Sequence, residues 1–313
     1  MMTTADSHPP STQSTSKPVA PRPEDWAEPG FTGNWRRQFF YWLMRLGGKA
    51  RGYHMANIVS LWYVLLYRSI RRRCGYYLDH RFPTRRGTLR RLLDCYRLVR
   101  TYATTLVDMQ VMSMFGPGSL TAISPDHDRL VEVAGRERGF VLVQAHVGCW
   151  QVAMPTLRQF RKKVSVVMVP EGRTDSVVDA DSVNAIDPRT GLQSAIEMTE
   201  ALLRGDIVAM TGDRSFGNDH NLVPAQFLGG TVLLPITPYR LASATGVPVV
   251  MMYAPRTGKR SYELRLAKVI EIPPGLGRNA ESYAPYAQQF SDCIELFVQK
   301  YPWQFFNFFD IWQ

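Results

Sequence analysis

The chain has 313 residues, 45% of them apolar and 20% charged, which suits one large or two modest folded domains and excludes wholesale disorder. Its formal net charge of +10 asks for an anionic partner: nucleic acid, acidic phospholipid, or a phosphorylated cofactor or carrier. The four cysteines form no Cys-x-x-Cys pair and no zinc-spaced cluster with histidine, so neither a structural metal nor a disulfide framework is expected, and a reducing compartment fits.

Residues 1–25 are rich in Ser, Thr and Pro and read as a disordered tail. They lack a basic n-region followed by an apolar run, so no secretory signal is expected. From 26 to 120 the pattern is helical, aromatic and basic. Between Arg36 and Arg100 stand 16 Lys/Arg against two acids, while the remainder carries 21 basic and 25 acidic residues. This third is either a solvated helical surface or a face for anionic lipid, where each basic side chain near the headgroups is worth about 1 kcal/mol. It is interleaved with Trp and Tyr, but no nucleic-acid motif accompanies it, and no nucleic-acid partner is expected.

The most apolar stretch runs from Met55 to Tyr67, with Arg51 before it and Arg68, Arg71, Arg72 and Arg73 after. A spanning helix needs about 20 residues, so this one is too short. It reads either as a buried helix or as one lying in the membrane interface. Further helices are expected at 85–114 and 124–136. Ser124, Pro125 and Asp126 make helix capping the reading of the Asp126-His127-Asp128 cluster.

After Gly139 the texture changes. Short apolar runs at 140–145, 164–169, 207–210 and 248–253 read as buried strands, and 262–272 as an edge strand. Helices are expected at 191–204, 239–245 and 284–301. Strands alternating with helices over 121–313 indicate an α/β body, with a mixed, largely parallel sheet covered by helices.

The strand at 140–145 ends in Gln144-Ala-His-Val-Gly-Cys-Trp-Gln151. A histidine at the carboxyl end of a central strand, ahead of a glycine and a helix start, sits where α/β folds build their sites and could act as a general base. These residues resemble the His-x-x-x-x-Asp/Glu motif of the lysophospholipid acyltransferase superfamily, and more narrowly the H-x-G-N-W-E motif of the late lipid A acyltransferases. Here the motif reads His146, Gly148, Cys149, Trp150, Gln151. Gly212-Asp213-Arg214, Gln226-Phe-Leu-Gly-Gly230, Pro235 and the Gly246-Val-Pro-Val249 run resemble the family's second stretch. Tyr301-Pro-Trp-Gln-Phe-Phe306 resembles its C-terminal Tyr-Pro-x-Gln-Trp-Phe block.

The resemblance implies transfer of a fatty acyl group from acyl carrier protein or coenzyme A to a hydroxyl or amine of a membrane lipid. It implies no cofactor beyond that thioester, no metal, no covalent enzyme intermediate, and a monomer at the cytoplasmic face of the bacterial inner membrane. His146 would be the base, and Gly148, Cys149, Trp150, Phe227 and Gly229 would border the substrate. Aminoacyl transfer to a lipid and catalytically silent lipid or carrier binding are the alternatives.

Gln151 stands where the family has its acid. An amide orients an imidazole but does not stabilise imidazolium, and in a Ser-His-Asp triad the acid-to-amide change costs about 10⁴ in rate. Asp213, after the strand at 207–210, is the expected substitute, with Glu171 second. Arg214 is expected to meet a phosphate or to form a structural ion pair. Cys149 reads as a nucleophile or as a small pocket-lining thiol.

Overall fold

The computed structural model describes residues 34–84, 87–152, 160, 162–169, 183–214 and 221–313. The disordered-tail reading of 1–25 and the candidate Glu171 lie outside them.

Three long helices come first: α1 (Asn34–Leu66), bent at Gly48, then α2 (Arg68–Arg81) and α3 (Thr88–Phe115). In the second half of α1, Ala56, Ser60 and Val64 are buried at a four-residue spacing, which marks the narrow face turned inward. Ile58, Leu61, Trp62, Leu65 and Leu66 remain exposed on the other faces. The apolar stretch is therefore neither wholly buried nor wholly free. Arg71 turns back and donates to the Val64 and Leu65 carbonyls at 2.6 and 2.8 Å, satisfying the end of α1.

Next come β1 (Thr121–Ile123), α4 (His127–Ala134), β2 (Phe140–Gln144), β3 (Val164–Val167), β4 (Val183–Ile186), α5 (Leu192–Leu203) and β5 (Ile207–Thr211). A hairpin of β6 (Leu222–Phe227) and β7 (Gly230–Pro235) follows, then α6 (Thr237–Thr245), β8 (Val249–Tyr253), β9 (Ser261–Glu263), β10 (Arg265–Ile270) and α7 (Ala284–Lys300). The main sheet has the order β10-β8-β2-β5-β3-β4, parallel except for the antiparallel edge strand β10. The single edge strand expected at 262–272 is in fact two. Its first part, β9, leaves the sheet to pair in parallel with β1.

The apolar runs alternate between two cores. Val141, Val143, Val208, Met210, Val249 and Met251 face α5, α6 and α7, while Phe140, Leu142, Ile207, Ala209, Val250 and Met252 face α4. A central parallel strand covered on both sides has no polar face to show, which is why these segments read as unbroken apolar runs. The Asp126 carboxylate does not cap α4. It accepts instead from the Leu266 N–H of β10 at 3.2 Å, because β10 leaves that amide within reach.

One buried carboxylate ties the N-terminal helices to the α/β body. Asp108 of α3 accepts from Tyr53 of α1 at 2.5 Å, Tyr262 of β9 at 2.5 Å and Arg256 Nε at 2.7 Å. A fully enclosed charge is tolerated because an ion pair and two phenols satisfy it together.

Candidate active site

β2 and β5 are paired in register, with Gln144 opposite Thr211. Two residues beyond that pair on each strand lie His146 and Asp213. The backbone N–H of His146 donates to Asp213 Oδ2 at 2.9 Å, and ring Nδ1 lies 2.9 and 3.0 Å from the two carboxylate oxygens. A carboxylate only accepts, so Nδ1 carries the proton and Nε2 of the neutral ring keeps its lone pair. The His146 side chain is 32% exposed and that of Asp213 5%, which puts a buried acid behind a reachable imidazole.

Burial pushes the Asp213 carboxyl upward. The charge and hydrogen bonds of His146 and the charge of Arg214 outweigh it and hold the carboxyl below its ordinary range.

The turn after His146 is strapped by the C-terminal segment. Phe306 N–H donates to the His146 carbonyl at 2.7 Å, and Gly148 N–H donates to Gln304 O at 3.0 Å. Gln304 in turn exchanges hydrogen bonds with the Arg256 backbone at 2.8 and 2.9 Å. Gly148 has φ +59, and a Cβ there would lie 2.2 Å from the Ala254 carbonyl oxygen. The glycine is thus required for the turn to press against the loop after β8.

A cleft of about 560 Å³ opens at this turn. Tyr102, Leu106 and Met109 of α3, with Trp150, Phe306 and Phe308, give it apolar walls. Arg72 and Arg73 of α2 and Arg214 add cations to the lining. Arg214 donates to Phe306 O at 3.3 Å and Asn307 Oδ1 at 3.2 Å, and lies 4.7 Å over the Phe309 ring. Burial lowers its pKa, against the charges of Asp213 and Tyr102.

The other candidates separate into those at the cleft and those away from it. Gln151 lines the cleft, and its Oε1 accepts from Cys149 Sγ at 3.5 Å while Asp213 holds Nδ1 of His146. Cys149 is buried and its thiol is pushed up to about 12, chiefly by burial, so it is a protonated packing group. Phe227 and Gly229 lie in the β6–β7 hairpin, outside the cleft lining. Phe227 stacks on Trp312 and meets Phe305, and Gly229 supplies the second positive φ of a two-residue turn after Leu228. Their motif residues close a hairpin.

Sequence reasoning missed Arg72, Arg73, Tyr102 and the aromatic strap as parts of the site. The basic run and the terminal aromatic block were visible, but nothing in their spacing joins them to residue 146.

The family model of the bacterial lipid A biosynthesis acyltransferases matches residues 97–313. No curated protein matches the chain. Among solved structures, the 1-acyl-sn-glycerophosphate (LPA) acyltransferase PlsC from Thermotoga maritima is similar, with a TM-score of 0.40 and 14% identity over 80% of this chain and 98% of that one.

Proposed function

Since this chain belongs to the bacterial lipid A biosynthesis acyltransferase family, we propose that it moves a fatty acyl group from a thioester of acyl carrier protein or coenzyme A to a hydroxyl or amine of a membrane glycolipid, with His146 as general base. The observation that carries this reading is the buried Asp213 carboxylate on Nδ1 of a reachable His146, at the wall of an apolar cleft. Nε2 takes the acceptor's proton as its oxygen or nitrogen attacks the thioester carbon. Asp213 stabilises the imidazolium, which then protonates the leaving thiolate. Asp213 supplies in space the carboxylate that Gln151 lacks in sequence.

The apolar walls suit an acyl chain. The cationic lining suits a phosphate on the donor arm or the acceptor headgroup. Among the described residues no helix is long and apolar enough to cross a membrane. The exposed end of α1, with Leu66 62% and Trp62 58% accessible, is followed directly by Arg68 and Arg72, and this arrangement supports peripheral docking on an anionic inner-membrane surface.

The test is lipid profiling by mass spectrometry of cells lacking the gene, complemented with wild type or His146→Ala. An acylated lipid should return with wild type only. The purified variant should still fold, with some stability lost because the buried Asp213 carboxylate no longer has its imidazole partner. Full product from His146→Ala refutes the assignment.

A further inference from the structure

The acyl-transfer reading leaves one demand unmet: a donor for the negative oxygen of the tetrahedral intermediate. Among the backbone amides from His146 to Val152, those of residues 146–149 and 152 are already engaged within the protein. His146 N–H donates to Asp213, Val147 to the Ala145 carbonyl, Gly148 to Gln304 O, Cys149 to Ala254 O, and Val152 to the Cys149 carbonyl. Arg214 Nη2 is held by Phe306 O and Asn307 Oδ1.

One hydroxyl in the cleft lining is different. Thr211 closes β5, faces Gln144 across the ladder, and lines the cleft together with His146. Its Oγ1 is buried and makes no hydrogen bond among the described residues. A buried hydroxyl without a partner is a net cost to the fold, so its persistence asks for a partner that arrives with substrate. With no bond holding χ1, a rotamer change can carry Oγ1 toward the bound carbonyl.

We propose, resting on the acyl-transfer reading, that Thr211 is a further catalytic residue whose hydroxyl donates to the thioester oxyanion. The acceptor oxygen forms its bond to the thioester carbon and gives its proton to Nε2 of His146. The carbonyl π pair moves onto oxygen, where Thr211 O–H meets it. When the pair returns, the C–S bond breaks and the thiolate takes the proton from His146. The products are the acylated lipid and free thiol.

The experiment follows thiol release and lipid acylation from dodecanoyl thioesters of acyl carrier protein and coenzyme A, with vesicles of a glycolipid-rich anionic extract. Thr211→Val keeps the shape and removes the donor. It should lower kcat by about 10²-fold, the usual loss for one oxyanion donor, with KM little changed. Its thermal midpoint should be equal to or above wild type, because an unpartnered buried hydroxyl is gone. Thr211→Ser should recover most of the rate. A merely structural threonine would give the opposite pattern, with stability lost and kcat kept. Should valine not fold, Thr211→Ala carries the same comparison. Wild-type kcat in a folded valine or alanine variant overturns the assignment alone. A wild-type chain that turns over neither thioester overturns the acyl-transfer reading and this assignment with it.

Discussion

His146 and Asp213 are joined through two separate groups of the histidine: its backbone N–H reaches Oδ2 at 2.9 Å, and its ring Nδ1 lies at 2.9 and 3.0 Å from the two carboxylate oxygens. The backbone bond fixes where the acid sits, and the ring bonds fix which nitrogen faces the cleft. An acid held in this way by the very residue it serves has little freedom to leave it.

Replacing that acid should therefore outweigh any change at residue 151. Asp213→Asn is expected to lower turnover by about 10²-fold or more, through the lost charge and the disturbed tautomer. Gln151→Ala, which removes the side-chain oxygen that accepts from the Cys149 thiol, should cost far less. Gln151→Glu should retain or raise activity. Initial rates of thiol release for the three variants decide the order, and a harmless Asp213→Asn would remove the base–acid assignment.

The same pair makes stability depend on acidity. The folded Asp213 carboxyl is held below its ordinary value of 3.8, so its contribution is fully present above that value. It is lost as pH falls through the lower folded value, because below it the folded and unfolded states bind the proton alike. Wild type should thus lose its advantage over Asp213→Asn only in the strongly acid range. Thermal melts of both proteins at neutral and acid pH should show the gap narrowing on acidification. A gap that widens contradicts the direction of the shift.

Cys149 should be chemically quiet. With its thiol pushed up to about 12 and its side chain enclosed, it carries almost no thiolate near neutrality. The native protein should resist iodoacetamide at this position, as peptide mapping by mass spectrometry would report. Cys149→Ala should keep His146-dependent turnover, and complete loss of turnover in a folded variant would revive the nucleophile reading.

Gly148→Ala should be among the most damaging single changes in the turn. Its Cβ would meet the Ala254 oxygen at 2.2 Å on a backbone at φ +59. Either the turn or the loop after β8 must move, which displaces His146. A loss of more than about 2 kcal/mol is expected, combining strain with close contact. Denaturant unfolding measures it, and wild-type stability would show that the loop yields freely.

Membrane association should respond to both apolar area and salt. Trp62→Ala together with Leu66→Ala removes exposed apolar surface at the end of α1 without touching the buried stripe of Ala56, Ser60 and Val64. Flotation with anionic vesicles should weaken in that variant, and in wild type as ionic strength rises. Equal partition to neutral and anionic vesicles at every salt concentration would defeat the electrostatic part.

Much of the body was legible in one dimension. The strands at 140–144, 164–167, 207–211 and 249–253 announced themselves because two-sided burial leaves only apolar residues along them. The hairpin over 222–235 did not, since its strands mix buried and exposed positions around Pro224 and the Leu228-Gly229 turn. Strand β4, no shorter than β3, was missed because Val183-Asn-Ala-Ile186 is interrupted by an asparagine and offers no apolar run, and β9 because a single residue, Leu264, separates it from β10.

What the sequence by itself determined is what local composition dictates: an α/β body, a basic helical third, and a histidine with a glycine two residues on, at the end of a buried strand. These follow from period, apolar run and turn chemistry, each readable within a dozen residues. The cleft is another matter. Its acid comes from the end of β5, its apolar wall from α3, its cations from α2 and β5's end, and its strap from the last ten residues. Only the parallel pairing of β2 with β5 brings residue 213 to residue 146, and only the packing of α3 against the C-terminal aromatics encloses the space between them. Such contacts are set by which surfaces bury each other when the whole chain collapses, and no spacing along the sequence encodes them.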